Sequence, residues 1–238
     1  MKLPFFNKLH IGFYGHSTAS CAGDPRSYID QIAEQLDAKI VNIGAAQGSE
    51  ERILFDIKKT KTIDIAVIFH SATPRYIFLP SCDRDISINA VPENKSNILW
   101  SERDDRKNVT PEEFENEFFS YGKIKEVFED PAVFAETMRL NKKFLSHPDL
   151  VKNRYEGARY LIDLYCLKKI PKVIHAIDHY QEKIGPWFEF QSGIVDYELG
   201  KIAKKHYSPG VPNNLTNKGN NLMADKIVEI INKQGWNK

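Results

Sequence analysis

The chain lacks the features that mark a membrane protein or a nucleic-acid-binding protein. Its 238 residues carry 33 Lys and Arg against 32 Asp and Glu, so neither sign of charge dominates. This balance excludes a global field that would attract nucleic acid or an anionic membrane. No apolar run is long enough to span a bilayer, and residues 1–9 lack the apolar core and cleavage site of a signal peptide. We expect a cytoplasmic or virion-associated protein with no membrane or nucleic-acid partner.

Cysteine is scarce as well. Cys21, Cys82 and Cys166 are odd in number and far apart, without the spacing of a zinc site or a redox pair. We expect unpaired thiols, no bound metal and no cofactor. The chain also has no glycine-rich phosphate loop followed by lysine, which argues against nucleotide binding.

Apolar and amphipathic segments alternate along the first 70 residues. The pattern predicts strands at 10–14, 39–43 and 63–69. It predicts helices at 25–36, with Asp24 as the N-cap, and from Ser49 onward. A βαβαβ order indicates a parallel sheet whose strand carboxyl ends gather functional groups.

The middle of the chain breaks this pattern. Prolines and a charged run at 102–107 predict an irregular stretch over 72–109, and Thr110 begins a helix. Further predicted elements are helices at 131–146 and 148–168, a strand at 172–177, and helices at 194–206 and 216–234. We expect one three-layer α/β domain over 1–238, with a helical insertion at about 76–168; a second domain in the middle of the chain is the alternative.

Both ends of the chain resemble the SGNH, or GDSL, family of serine hydrolases. Gly15-His16-Ser17-Thr18 follows the first predicted strand, where that family has Gly-Asp-Ser. Asn214-Leu215-Thr216-Asn217-Lys218-Gly219 leads into the last helix, where the family ends an Asp-x-x-His motif. The resemblance implies an SGNH or flavodoxin-like fold in which Ser17 attacks an ester.

The resemblance also implies donors for the oxyanion that forms when serine attacks. Residues 38–48 are similar to the second block of the family, which ends in a glycine whose amide is a donor. Gly48 matches this glycine, with Gln47 or Gly44 as alternatives.

The third block of the family contains an asparagine that is absent from this chain. Ser71 or Thr73 would donate in its place, and Arg75 would face an anionic or carbonyl group of the ligand. A polar segment followed by arginine resembles a divergent, phage-like branch of the family.

The catalytic base is the main departure from the family. The resemblance places its histidine on Asn214 and its aspartate on Val211, with Asn213 as a further binding candidate. An amide has no basicity near neutral pH, so Asn214 cannot take the proton of Ser17. Three histidines are candidate replacements, with His70 ahead because it ends a strand at the expected edge; the other two are His16 and His206.

Two functions fit these observations. The first is a divergent SGNH esterase, for example one that removes O-acetyl groups from a carbohydrate, acting through Ser17 with Gly48 and Ser71 as donors. The second is an inactive SGNH-fold protein that binds a glycan or a protein, such as a viral structural component. Catalysis requires an imidazole within hydrogen-bond reach of Ser17, whereas binding requires a concave polar site.

Overall fold

The computed structural model describes residues 8–20, 23–44, 49–70, 75–78, 86–89, 148–177, 188–208 and 211–237. The backbone divides into two compact units. The first contains residues 1–72 and 156–238, and the second contains residues 73–155. One domain with an insertion at about 76–168 stays a prediction.

The described strands form two sheets. They are β1 (His10–Gly15), β2 (Lys39–Asn42), β3 (Ile65–His70), β4 (Arg75–Phe78), β5 (Ile86–Asn89), β6 (Val173–Ile177) and β7 (Ile194–Asp196). Five of them make a parallel sheet in the order β2-β1-β3-β6-β7. The chain changes direction across this sheet between β1 and β3, the place where such sheets bind ligands.

Helices cover both faces of the parallel sheet. They are α1 (Tyr28–Gln35), α2 (Glu50–Lys59), α3 (Pro148–Lys169), α4 (Glu198–Lys205) and α5 (Asn217–Lys233). Ser49 caps α2 by accepting from the Arg52 amide at 3.2 Å, and Thr216 caps α5 by accepting from the Gly219 amide at 3.1 Å. The predicted three-layer α/β fold is confirmed.

Alternation along the strands sends successive side chains to opposite faces of the sheet. One core joins the Ile65, Val67 and Phe69 side of β3 to helices α1, α4 and α5. The other joins the Ala66 and Ile68 side to α2 and α3. These two cores define the α1/α5 face and the α2/α3 face.

The second unit contains strands where the sequence predicts irregular structure. Strands β4 and β5 pair in antiparallel fashion, with Arg75 opposite Asn89 and Phe78 opposite Ile86. The prediction is wrong here because two short runs rich in aromatic and β-branched residues flank Pro80, which is a hairpin pattern. The helices predicted from Thr110 and at 131–146 lie outside the described residues.

Two predicted helix starts are also wrong. Ile194–Asp196 is a strand, and α4 begins later because the Asp196 carboxylate accepts from the Leu199 amide at 2.9 Å. Helix α1 begins at Tyr28, and its N-cap is Ser27. Asp24 instead closes the preceding turn, accepting from the Arg26 amide at 2.9 Å. The predicted helices at 148–168 and 216–234 are confirmed.

Candidate functional site

The Ser17 turn follows directly from the end of β1. Gly15 has φ 135°, and a side chain there would run into the Phe69 carbonyl of β3. Ser17–Ala19 then makes one turn of 3₁₀ helix. The Ser17 carbonyl accepts from the Ser20 hydroxyl at 2.7 Å, which closes the turn. Glycine is needed at the strand end because of both its backbone angle and its close approach to β3.

The Ser17 side chain lies at the carboxyl end of β1, beside the point where the sheet changes direction. It is half-buried. Within the part of the chain that the structure describes, its hydroxyl makes no hydrogen bond. Ser17 is therefore placed to contact a ligand at this edge.

A second turn, Pro212–Asn214, carries the residue that replaces the histidine of the family. Asn213 and Asn214 have φ of 57° and 52°, a left-handed conformation that asparagine tolerates well. The Asn214 carbonyl accepts from the Ser208 amide at 2.8 Å. This backbone bond fixes the turn against the end of α4.

Asn213 joins the two turns. Its buried side-chain amide donates to the Thr18 carbonyl at 2.9 Å, and its side-chain oxygen accepts from the Ser27 hydroxyl at 2.7 Å. The structure thus brings the Ser17 and Asn214 turns together, as the resemblance implies. The Asn213 carboxamide faces the protein, however, so it holds the site in place.

Asn220 is a second link, one that the sequence interpretation missed. It is buried, its side-chain oxygen accepts from the Tyr28 amide at 3.0 Å, and its NH₂ group donates to the Leu215 carbonyl at 3.1 Å. A signal was available: position 220 shares the apolar face of α5 with Met223, Ala224 and Ile227.

Position 214 supplies no base to Ser17. The Asn214 side chain is half-buried and makes no hydrogen bond with the described residues. Val211, which matches the aspartate of the family, is 38% exposed and offers no carboxylate.

His70 lies in a different setting from the one its predicted role requires. Its side chain is on the α2/α3 face, buried, with Nδ1 2.8 Å from Glu50 Oε2 and Nε2 2.9 Å from His175 Nδ1. Both ring nitrogens are therefore engaged away from Ser17. Ala19 of the Ser17 turn packs in the core of the α1/α5 face together with Phe69. Since neighbouring side chains of a strand point to opposite faces, His70 lies on the other side of the sheet from this turn.

The other two candidate bases are half-buried. His16 precedes Ser17, and its Nδ1 accepts from the Thr18 amide at 3.4 Å. His206 ends α4, with Nδ1 3.5 Å from the Thr216 hydroxyl. The hydrogen bond described for each of them is to a residue other than Ser17.

The oxyanion candidates fall into two groups. Gly44 is described, and its amide donates to the Ala19 carbonyl at 2.7 Å, so it is not open to a ligand. Arg75 begins β4 in the second unit. Gly48, Gln47, Ser71 and Thr73 lie outside the described residues.

The α2/α3 face holds further polar residues that the sequence interpretation missed. From His175 the hydrogen bonds continue to Ser192 and Asp163, while the Arg159 side chain donates to Glu50 at 3.2 Å. We call the run Glu50, His70, His175, Ser192 and Asp163 the polar chain. Arg159 and Asp163 share the apolar face of α3 with Ile162, which was the available signal.

Among the described residues, no group of three or more His, Cys, Asp or Glu could hold a metal ion. Burial raises the pKa of the Cys166 thiol to about 12, which makes it an unreactive core residue. Cys21 and Cys82 lie outside the described residues. None of the described helices has the length and apolar character needed to cross a bilayer.

Comparisons with known proteins give likenesses among solved structures. No protein-family model and no curated protein matches the chain. Among solved structures, the chain is similar to a protein from Desulfitobacterium hafniense DCB-2 that is described as a lipolytic protein of the G-D-S-L family. The TM-score is 0.44 and the identity 10%, over 94% of this chain and 99% of that chain. The α/β fold described above rests on the strand order of the sheet.

Proposed function

We propose that the edge of the sheet at Ser17 binds a small ester or an acylated glycan, in an SGNH-type site that lacks an efficient base. The observation that carries this proposal is Asn214. It stands where the family has its histidine, on a turn that Asn213 ties to the Ser17 turn by a 2.9 Å hydrogen bond.

The proposed chemistry follows from what each group can do with a proton. A serine hydroxyl attacks an ester efficiently when a neighbouring base removes its proton. The Asn214 amide cannot do so, but it can donate or accept a hydrogen bond. Ser17 and Asn214 thus offer a ligand two polar groups without the means for rapid turnover.

Slow ester hydrolysis is a second candidate. It is favoured by the Ser17 hydroxyl, which is half-buried at the sheet edge and has no hydrogen bond in the described residues. A serine site without its base retains some catalysis through its oxyanion donors and through binding. Weak turnover is therefore compatible with the same site.

Labelling by a fluorophosphonate probe separates the two candidates. We expect no labelling of the unchanged chain and labelling of the Asn214→His variant, more strongly when Val211→Asp is added. Histidine suits the left-handed backbone at position 214 better than most residues do. The control is Asn217→His, which adds an exposed imidazole at the start of α5 and should not be labelled.

Labelling of the unchanged chain that disappears in Ser17→Ala would favour hydrolysis with a substitute base.

Binding is tested with an O-acetylated monosaccharide in ¹⁵N-edited NMR spectra. We expect amide shifts confined to residues 15–20 and 213–214, and their loss in Ser17→Trp, which fills the edge. Shifts that are absent or spread over the chain would contradict the proposed binding site.

A further inference from the structure

The polar chain is a continuous run of four hydrogen bonds inside the protein. In order, the contacts are Glu50 Oε2 to His70 Nδ1 at 2.8 Å, His70 Nε2 to His175 Nδ1 at 2.9 Å, His175 Nε2 to Ser192 Oγ at 2.9 Å, and Ser192 Oγ to Asp163 Oδ1 at 2.6 Å. All five residues are buried. Each member must therefore satisfy its hydrogen bonds within the protein.

Each of the four bonds needs one hydrogen between its two heavy atoms. Two neutral imidazoles supply one each and the Ser192 hydroxyl supplies one, which makes three. The carboxylates at the two ends supply none while they are ionised. The polar chain therefore lacks one of its four hydrogens if both histidines are neutral.

Both carboxylates already accept hydrogen bonds from donors outside the polar chain or from the Ser192 backbone. Asp163 accepts from the Ser192 amide at 2.8 Å and from the Gln191 amide at 3.0 Å. Burial acts to raise the pKa of Glu50, but the charges of His70 and Arg159 outweigh it and hold the pKa at about 2. The fourth hydrogen is thus on neither of the two carboxylates that end the polar chain.

We propose that His70 and His175 together hold one proton more than two neutral imidazoles, shared in the 2.9 Å contact between His70 Nε2 and His175 Nδ1. The outer positions are then fixed. His70 Nδ1–H donates to Glu50, and His175 Nε2–H donates to Ser192, whose hydroxyl donates to Asp163. Without the shared proton, two nitrogen lone pairs would face each other across a buried contact.

The charges of the described groups around the pair agree with this assignment. Glu50 faces it from α2, Arg159 and Asp163 lie on α3, and the Phe190 ring stacks on His175 with centroids 4.0 Å apart. Two carboxylates, one guanidinium and one shared proton sum to zero. A low-dielectric interior favours such a neutral set over one with a net negative charge.

A second added proton is excluded by the same environment. Burial lowers the pKa of His175 well below its usual value, and the positive charges of His70 and Arg159 lower it further. The pair thus binds and releases its single proton as a unit. His70 ends β3, Ser192 precedes β7 and Asp163 lies on α3. The protonated polar chain therefore links these three elements by hydrogen bonds.

NMR spectra of the protein labelled with ¹⁵N in its histidines report directly on the protonation of the ring nitrogens. Near neutral pH we expect one imidazolium equivalent across the four ring nitrogens of His70 and His175, with the charge exchanging between them. His175→Gln identifies the signals by their loss. Neutral-tautomer shifts at both residues near neutral pH would overturn the proposal.

Glu50→Gln is the test variant, because it removes the negative charge and its NH₂ group can donate to His70 Nδ1, which supplies the fourth hydrogen without an added proton. We expect the imidazolium signature to disappear near neutral pH. The matched control, Glu229→Gln, removes the same charge from an exposed partner of Lys226 and should leave the signature unchanged. An unchanged signature in Glu50→Gln would also overturn the proposal. The spectrum of the unchanged chain decides the question if that variant does not fold.

Discussion

At the scale of single residues, the Ser17 turn depends on two glycines that allow close backbone approach. Gly15 approaches the Phe69 carbonyl of β3, and a side chain on Gly44 would lie 2.8 Å from the Gly15 carbonyl oxygen and 2.8 Å from the Ala19 side chain. These contacts are much shorter than normal van der Waals separation. The turn that presents Ser17 is thus held in a space that has no room for one more methyl group.

We predict that Gly15→Ala lowers the free energy of unfolding by more than about 2 kcal/mol, since it adds a collision to a left-handed backbone. Gly23→Ala is the matched control. Gly23 has φ 83° but no neighbour within 4 Å of an added methyl group, so it isolates the backbone cost of about 1 kcal/mol. Urea unfolding measures both, and equal losses would show that the collision is relieved by movement.

Sequence motifs give the positions of the site residues along the chain but not their side-chain contacts. The structure joins the turns carrying Ser17 and Asn214 through Asn213. The motifs assigned Asn213 to ligand binding, whereas its carboxamide bonds to Thr18 and Ser27. A motif gives the position of a side chain along the chain, whereas its partners depend on which distant segments pack beside it.

At the scale of elements, Asn220 connects α5 to the start of α1 and to the turn before α5. Its three donor contacts reach the carbonyls of Pro212, Leu215 and Thr216. Its oxygen accepts from the Tyr28 amide, a free donor in the first turn of a helix. One side chain thus orients both elements that flank the proposed site.

We predict that Asn220→Ala costs about 2–3 kcal/mol of stability, because it leaves buried backbone groups without partners. Asn220→Asp keeps the acceptor for Tyr28 and removes the donors, so its cost isolates the contacts to the turn. Asn221→Ala, at an exposed neighbouring position, should change stability by less than about 0.5 kcal/mol. A similar loss in Asn220→Ala and Asn221→Ala would contradict this role.

Most elements could be predicted from their hydrophobic period, and the failures have local causes. Strand β7 has three residues and runs into α4 through Tyr197, so its apolar residues merge with the helical pattern. The start of α1 was assigned to Asp24 and Pro25, a good capping pair. Ser27 is the N-cap instead, because its hydroxyl accepts from the Ile29 amide and also donates to Asn213, which is distant along the chain.

At the scale of the whole molecule, the buried histidines couple folding to pH. Burial lowers the pKa of both histidines, most strongly that of His175, while the Glu50 carboxylate acts to raise that of His70. In the unfolded chain both imidazoles take up protons below the ordinary histidine pKa of about 6.5. With the single shared proton proposed for the folded pair, the unfolded state binds one proton more than the folded state below that pH, so stability falls as the pH drops.

We predict that the free energy of unfolding decreases on acidification below about pH 6.5, by up to about 1.4 kcal/mol per pH unit for each proton that the folded state excludes. Urea unfolding at several pH values measures the slope. His175→Gln should flatten it, whereas His206→Gln, at the half-buried end of α4, should leave it unchanged. An equal slope in both variants would assign the acid sensitivity to other groups.

The hydrogen bonds around Asn213 also determine when the site can form during synthesis. Asn213 is 186 residues from Ser27 and 195 from Thr18 along the chain. A ribosome that has made Thr18 must add 195 further residues before the partner of that turn exists. Contacts of such long range form late in folding. A growing chain therefore exposes the Ser17 turn long before Asn213 can tie that turn to the Asn214 turn.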